Sequence, residues 1–196
     1  PAPVQIRWLG MAGTSGADFF DYIITDRTVT PENQARCYTE KFIYLPHCYQ
    51  INDNQPYVDT NERRRADFGL PEGAFVYCCF NTSYKIDKVI FTAWMNILKR
   101  FPNSVLWLMT NSSKQSGNLK AMAIENGIDD NRLIFADKIP KPKHLSRLSL
   151  ADLGLDTYRV NGAASTSDAL WAGVPVLTIQ GKHFASRMSS SILKAV

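Results

Sequence analysis

The sequence contains no long uninterrupted apolar run, so nothing in it reads as a membrane-spanning helix. Its first residues, Pro1-Ala-Pro-Val-Gln, lack an initiating Met and the basic and apolar segments of a signal peptide. They are expected to follow a cut inside a longer protein. At the other end, Ser191 to Val196 stops within a helical pattern without a capping residue, which suggests a second cut. Cysteine is scarce. Cys37, Cys48, Cys78 and Cys79 have the spacing of neither a zinc site nor a redox motif, and reduced, mostly buried thiols in a reducing compartment are expected. The cytoplasm is the expected compartment. No Walker A pattern, GxGxxG fingerprint, metal-ligand spacing, internal repeat or low-complexity tract occurs. No metal is expected.

What is present fits an ordinary globular protein: 196 residues, 45% hydrophobic and 20% charged. The net charge is +4 and the 22 basic residues are scattered. Arg63-Arg64-Arg65, beside Glu62 and Asp67, is taken as a solvated helix face and not as a nucleic-acid patch. A mild positive balance also suits an anionic ligand.

Two regions differ in pattern. Residues 1–68 are irregular, with short strands expected at Val4–Leu9, Asp21–Thr25 and Lys41–Leu45, a glycine-rich turn over Gly10–Gly16 and a polar, linker-like stretch at Asn52–Pro56. Residues 69–196 are regular. Phe75–Phe80 is a nearly continuous apolar run, as in a strand buried on both faces. Apolar residues then recur at helical spacing from Ile86 to Phe101. Strands at Val105–Leu108, Arg132–Phe135, Leu153–Asp156 and Val174–Thr178 alternate with helices at Leu119–Asn126, His144–Ala151 and Thr166–Ala172. The expected fold class is α/β, with a Rossmann-like parallel sheet in the second region.

Ligands of such sheets sit beyond the carboxyl ends of the strands, which selects three segments. In Asn81-Thr-Ser-Tyr-Lys85, Lys85 can reach a phosphate near a helix N-terminus, or it is a solvated first-turn residue. In Lys138-Ile-Pro-Lys-Pro-Lys-His-Leu-Ser-Arg147, Lys141 precedes the helix while His144 and Arg147 share one face of it. That cluster can hold a base, a ribose and a phosphate, or form a basic surface. In Thr157 to Asp168, small residues and hydroxyls leave N–H groups open to a pyrophosphate. There Asp168 can accept ribose hydroxyls or merely favour its helix, and Ser165 or Thr166 can serve only as a cap. Gly10–Gly16 reads as a structural turn, and His47 as a hydrogen-bonded core histidine. These clusters favour a nucleotide site without naming the nucleotide.

Several stretches resemble the O-linked N-acetylglucosamine (O-GlcNAc) transferases. They include Trp8-Leu-Gly, Gly13-Thr-Ser-Gly16, Asp21-Tyr-Ile-Ile-Thr-Asp26, Glu40-Lys-Phe-Ile-Tyr-Leu-Pro-His47, Tyr84-Lys-Ile-Asp87, Trp94 to Arg100, Pro102 to Leu108 and Leu170-Trp-Ala-Gly-Val-Pro175. The resemblance covers nearly the whole chain. It implies a GT-B glycosyltransferase fold in which residues 1–68 are the end of the N-terminal catalytic lobe and residues 69–196 a UDP-binding lobe. It also implies an inverting, metal-independent transfer from a UDP-sugar to protein Ser or Thr. Upstream tetratricopeptide repeats and the rest of the N-terminal lobe are the expected partners in the intact protein, together with the protein or peptide acceptor.

Carried over by position, Lys85 looks like the family's essential lysine at the departing diphosphate. Pro140, Lys141, His144 and Arg147 fall where uracil and ribose are held, and Asp168 where ribose is bound. Ala163, Ala164 and Ser165 occupy the phosphate-facing turn, Thr82 is among the UDP-sugar-binding positions, and Leu9 and Gly10 fall where the other lobe approaches the donor sugar. The family's groups that assist the acceptor hydroxyl lie upstream of Pro1, so the isolated piece is expected to be inactive. Animal members have glutamine at Thr82 and His-Thr-Thr at Ala163-Ala164-Ser165. The loss of that histidine and of one hydroxyl removes hydrogen bonds near the sugar and pyrophosphate worth about 0.5–3 kcal/mol each. These differences leave open a related hexosyltransferase using UDP-glucose with another acceptor, and a non-catalytic scaffold lobe.

Overall fold

A computed structural model describes residues 2–61, 63–110 and 112–196. Pro1 and Glu62, which figure in the expectations above, lie outside the described residues, as does Asn111. The chain forms two parallel sheets. The first has three strands in the order β1-β2-β3: Ile6–Arg7, Tyr22–Thr25 and Lys41–Tyr44. The second has five strands: β4 (Phe75–Cys79), β5 (Ser104–Met109), β6 (Leu133–Ala136), β7 (Leu153–Leu155) and β8 (Val176–Leu177). Their order is β6-β5-β4-β7-β8. From β4 the chain builds outward to β6, then returns to the far side of β4 for β7 and β8. The strand order therefore reverses between β4 and β7.

Side-chain alternation in β4 builds both cores at once. Cys79 and Tyr77 pack under α1 (Lys88–Arg100) with Phe91, Trp94 and Leu98, while Cys78 and Val76 face Trp107, Leu145 and Leu148 on the other side. All four cysteines are free, but only Cys78 and Cys79 are buried. Cys37 is exposed and Cys48 intermediate. Asp87 caps α1 by accepting from the Ile90 N–H at 3.0 Å, and Lys99 and Arg100 sit in its last turn, where the helix dipole favours cations.

The remaining helices are α2 (Ser113–Glu125), α3 (Lys141–Leu148), α4 (Ala164–Trp171) and α5 (Met188–Lys194). Three of them start earlier than periodicity suggested, α4 by only two residues. The first turns of α2 are polar and buried only at Leu119 and Ala123, so they leave no apolar stripe to read. Helix α3 starts at Lys141 and takes Pro142 into its first turn, where the missing N–H costs nothing. Strand β8 is shorter than expected because Pro175 carries no N–H. Its carbonyl still accepts from Gly154 at 2.8 Å.

Two other expectations are corrected. Of the arginine run, only Arg64 stays on the solvated surface. Arg65 bonds Asp152 at 2.8 Å and the carbonyls of Ala74 and Leu150, and Arg63 pairs with Asp59 at 2.7 Å. A guanidinium with five donors stitches a loop to the sheet edge better than it coats a helix. His47 is exposed rather than a core histidine, because the chain turns outward after β3.

The two sheets are joined by a small core of Val29, Tyr49, Phe184 and Met188. A buried hydrogen bond from Ser191 on α5 to the Asp26 carboxylate, 2.5 Å, reinforces it. Among the described residues no helix is long and apolar enough to cross a membrane.

Candidate functional site

Two cavities open at the carboxyl edge of the five-stranded sheet and meet at the N-terminus of α4. The larger, about 430 Å³, is lined by Leu9, Gly10, Tyr84, Lys85, Val160, Ala163 and residues of the small inter-sheet core. The smaller, about 230 Å³, is lined by Phe80, Lys141, His144, Arg147, Ser165 and Asp168, with Met109, Lys138 and Ile139. Nine of the residues singled out in the sequence thus surround one crevice. Thr82, Pro140 and Ala164 are exposed and line neither cavity. Thr82 introduces the tight turn that carries Lys85, Pro140 precedes α3, and Ala164 is the first residue of α4.

In the larger cavity, Lys85 donates from Nζ to the carbonyl of Asn161 at 2.9 Å. Burial lowers its pKa from the ordinary lysine value, and the Asp156 carboxylate opposes that shift only in part. The opposite wall is the glycine-rich turn. Leu9 has φ +60° and lies at the centre of a γ-turn closed by Gly10 N–H to the Trp8 carbonyl, 2.9 Å. Such a conformation costs about 1–3 kcal/mol in a non-glycine residue and persists only where its surroundings hold it. Here Trp8 Nε1 bonds the Tyr49 carbonyl at 3.0 Å, and the Arg7 guanidinium bonds the carbonyls of Met11 and Gly13. Beneath the turn Glu40 is buried and accepts from Ser15 N, Ser15 Oγ and Thr14 Oγ1 at 2.6–2.7 Å. Burial pushes its carboxyl up, but these hydrogen bonds outweigh it and hold the pKa at about 2.

In the smaller cavity, Arg147 is almost wholly buried, 2% exposed, with its guanidinium 5.0 Å from the Phe80 ring centre. Its Nε donates to His144 Nδ1 at 3.1 Å. Arginine can only donate, so that imidazole nitrogen is unprotonated and Nε2 carries the proton. Burial, and then the Arg147 charge, lower the His144 pKa to about 4. Burial lowers that of Arg147 to about 10, and it remains a cation at neutral pH. Across the mouth, Lys141 Nζ and Asp168 Oδ1 are 3.0 Å apart. The site therefore offers an aromatic and cationic floor, a neutral imidazole N–H, and a carboxylate beside a lysine.

Between the cavities, α4 begins without any side-chain cap. Its first N–H groups and the positive end of its dipole face the crevice. The turn before it is held by residues to which sequence reasoning assigned no role. Asp156, just after β7, accepts at Oδ1 from Asn81 Nδ2 (3.0 Å), Thr157 N (2.8 Å) and Gly162 N (2.7 Å). Asn81 accepts in turn from Ser165 Oγ, and Asn161 Nδ2 donates to the Thr157 carbonyl at 2.6 Å. A usable signal was present: Asn81 and Asp156 follow the two strands that flank the reversal of strand order. Gly162 is required by close approach, since a Cβ there would lie 2.8 Å from Ser165 Oγ and 3.2 Å from Asn81 Oδ1. Among the described residues, no three His, Cys, Asp or Glu side chains are grouped to hold a metal ion.

The sequence model of glycosyl transferase family 41 matches residues 1–64 and 57–196. A probable UDP-N-acetylglucosamine–peptide N-acetylglucosaminyltransferase of Arabidopsis thaliana is 42% identical over 200 residues, covering all of this chain and 20% of that protein. A UDP-N-acetylglucosamine–peptide N-acetylglucosaminyltransferase of Caenorhabditis elegans is 26% identical, again over all of this chain and over 27% of its own length. The chain thus spans about a fifth to a quarter of these relatives. Among solved structures, a mutant of the O-GlcNAc transferase of Thermobaculum terrenum superposes with a TM-score of 0.85 at 28% identity, covering 98% of this chain and 36% of that one.

Proposed function

The chain belongs to glycosyl transferase family 41, and from that premise we propose that its crevice holds the UDP-sugar of an enzyme that glycosylates protein Ser or Thr, with UDP-N-acetylglucosamine as donor. The observation that carries this reading is the convergence of Lys85, the uncapped start of α4 and the Lys141–His144–Arg147–Asp168 cluster on one crevice at the strand-order reversal. In it the uracil and ribose occupy the smaller cavity, the sugar the larger, and the diphosphate crosses the N-terminus of α4. The names of the relatives support the donor and the peptide acceptor.

The acceptor hydroxyl oxygen bonds the anomeric carbon as the bond from that carbon to the β-phosphate oxygen breaks, with inversion. The electron pair leaves with UDP. Lys85 and the N–H groups of α4 face the oxygen on which that charge develops, so they stabilise the transition state more than the ground state. This positive potential supports a reaction that needs no metal. The hydroxyl proton passes to a base supplied by the upstream part of the N-terminal lobe. The four free thiols support a cytoplasmic setting.

Titration calorimetry of the intact protein with UDP, UDP-N-acetylglucosamine and UDP-glucose tests the reading, together with sugar transfer to a peptide with and without a chelator. Tight UDP binding and chelator-resistant transfer of N-acetylglucosamine are expected. Preference for UDP-glucose would change the donor, and failure to bind any uridine nucleotide would overturn the assignment.

A further inference from the structure

Lys85 and Asp156 occupy opposite ends of one peptide unit. Lys85 Nζ donates to the Asn161 carbonyl at 2.9 Å, and the N–H of the same peptide, on Gly162, donates to Asp156 Oδ1 at 2.7 Å. The cation sits at the negative end of that dipole and the carboxylate at its positive end, so each polarises the bond that holds the other. The same carboxylate oxygen also fixes Thr157 N and Asn81, while Oδ2 accepts from Thr178 Oγ1 at 2.7 Å. Asp156 is 7% exposed, and among the described residues no Lys or Arg forms a salt bridge with it. A buried carboxylate held by neutral donors keeps its field directed at whatever cation lies nearby.

We propose that Asp156 is a positioning residue for the transfer reaction: through the Asn161–Gly162 peptide it keeps Lys85 in place and charged between turnovers. This rests on the assignment of Lys85 to the departing diphosphate. When UDP leaves, the half-buried lysine loses its anionic partner, and Asp156 is the charge left to oppose the desolvation that drives it towards the neutral amine. The other titratable groups near Lys85 do not replace it, and Tyr49 and Tyr84, which line the same cavity, are phenols and supply no carboxylate. The Cys79 thiol is kept protonated by burial, its pKa pushed up to about 12, and Asp87 is engaged by Arg159 at 3.2 Å.

Asp156→Asn is a clean probe, because Oδ1 can still accept its three N–H donors and the new amide can donate to the Thr178 hydroxyl. The variant changes charge with little change of shape. In the intact protein, UDP affinity and kcat/KM for peptide glycosylation are measured from pH 6 to pH 10 for both forms. The alkaline fall of both is expected to move to lower pH in Asp156→Asn, with the loss several-fold greater at the alkaline end than at neutrality. Unchanged stability by thermal melting would assign the effect to charge. An equal, pH-independent loss across the range would mean that Asp156 only shapes the loop, and an unaltered profile would mean that it does nothing for Lys85; either overturns the proposal. Should Asp156→Asn fail to fold, Asp156→Ser keeps a neutral oxygen on the same residue and is read by the same profile. If the unaltered protein binds no UDP at any pH, it is the functional assignment that has failed.

Discussion

The Nε of Arg147 donates to Nδ1 of His144 at 3.1 Å, so a buried cation fixes the tautomer of the imidazole beside it. Arg147 cannot serve a ligand and leave His144 unsupported, because its own position depends on the packing of Phe80 and Trp107 around the guanidinium. Binding and folding are coupled at this point. Replacing Arg147 by Ala removes a buried side chain and a cation–π partner, and a destabilisation of about 2–4 kcal/mol is expected. Chemical denaturation measures that loss, and calorimetry of the folded fraction should show weakened UDP binding as well.

Acid stability should fall in two separable windows. The folded His144 pKa of about 4 lies below its ordinary value of 6.5, so the unfolded chain binds the proton first. The stability this group contributes is complete above about pH 6.5 and is lost as pH falls towards about 4. Glu40, depressed to about 2 from 4.5, contributes stability that is complete above about pH 4.5 and lost as pH falls towards about 2. Denaturant unfolding across this range should lose the upper slope in His144→Gln and the lower one in Glu40→Gln. Each slope is on the order of 3 kcal/mol in total.

Lys85→Ala should leave the melting temperature nearly unchanged, since the side chain has one hydrogen bond to a carbonyl and lines an open cavity. Transfer should drop by about 100- to 1000-fold, the usual cost of removing one group that stabilises developing negative charge. Single-turnover transfer to a peptide by the intact protein measures this. A loss below tenfold would remove Lys85 from the leaving-group role.

Gly162→Ala forces a methyl group against Ser165, Thr166 and Asn81. The turn before α4 must shift to admit it, at a cost of about 1–3 kcal/mol. UDP affinity should fall along with stability, because the N–H groups at the start of α4 move with the turn.

The Lys141–Asp168 pair predicts the opposite balance. Lys141 is largely exposed, so breaking the 3.0 Å contact should cost less than about 1 kcal/mol of stability. Lys141→Ala and Asp168→Asn should nevertheless each weaken UDP binding, and the Lys141 effect should shrink as salt is raised. Calorimetry at two ionic strengths checks this.

Much of the architecture was legible in the sequence for simple reasons. A strand buried on both faces reads as an apolar run, as Phe75–Cys79 does, and an amphipathic helix repeats its apolar residues, as α1 does with Ile90, Phe91, Trp94 and Leu98. The polar start of α2 carried no such stripe, and Pro142 disguised the start of α3. For the site, motif likeness reached Lys85, Lys141, His144, Arg147 and Asp168, because charged residues after strands are few and their order along the chain is distinctive. It passed over Asn81, Asp156 and Asn161, which make their contacts with the chain itself and not across the cavity wall.

By itself, the order of residues determined the alternation of strand and helix, the faces that are buried, and which segments lie at the carboxyl edge of a parallel sheet, because periodicity and hydrophobicity are local properties. Only the tertiary structure decided that Lys85 and Arg147 face adjacent cavities, that one peptide joins Lys85 to Asp156, and that Arg65 is a clamp, not part of a charged face. Those relations connect residues far apart in sequence: 62 positions separate Lys85 from Arg147, 76 separate Lys85 from Asn161 and 87 separate Arg65 from Asp152. Hydrogen bonds and ion pairs over such spans depend on where packing brings the chain together, and no local pattern records that.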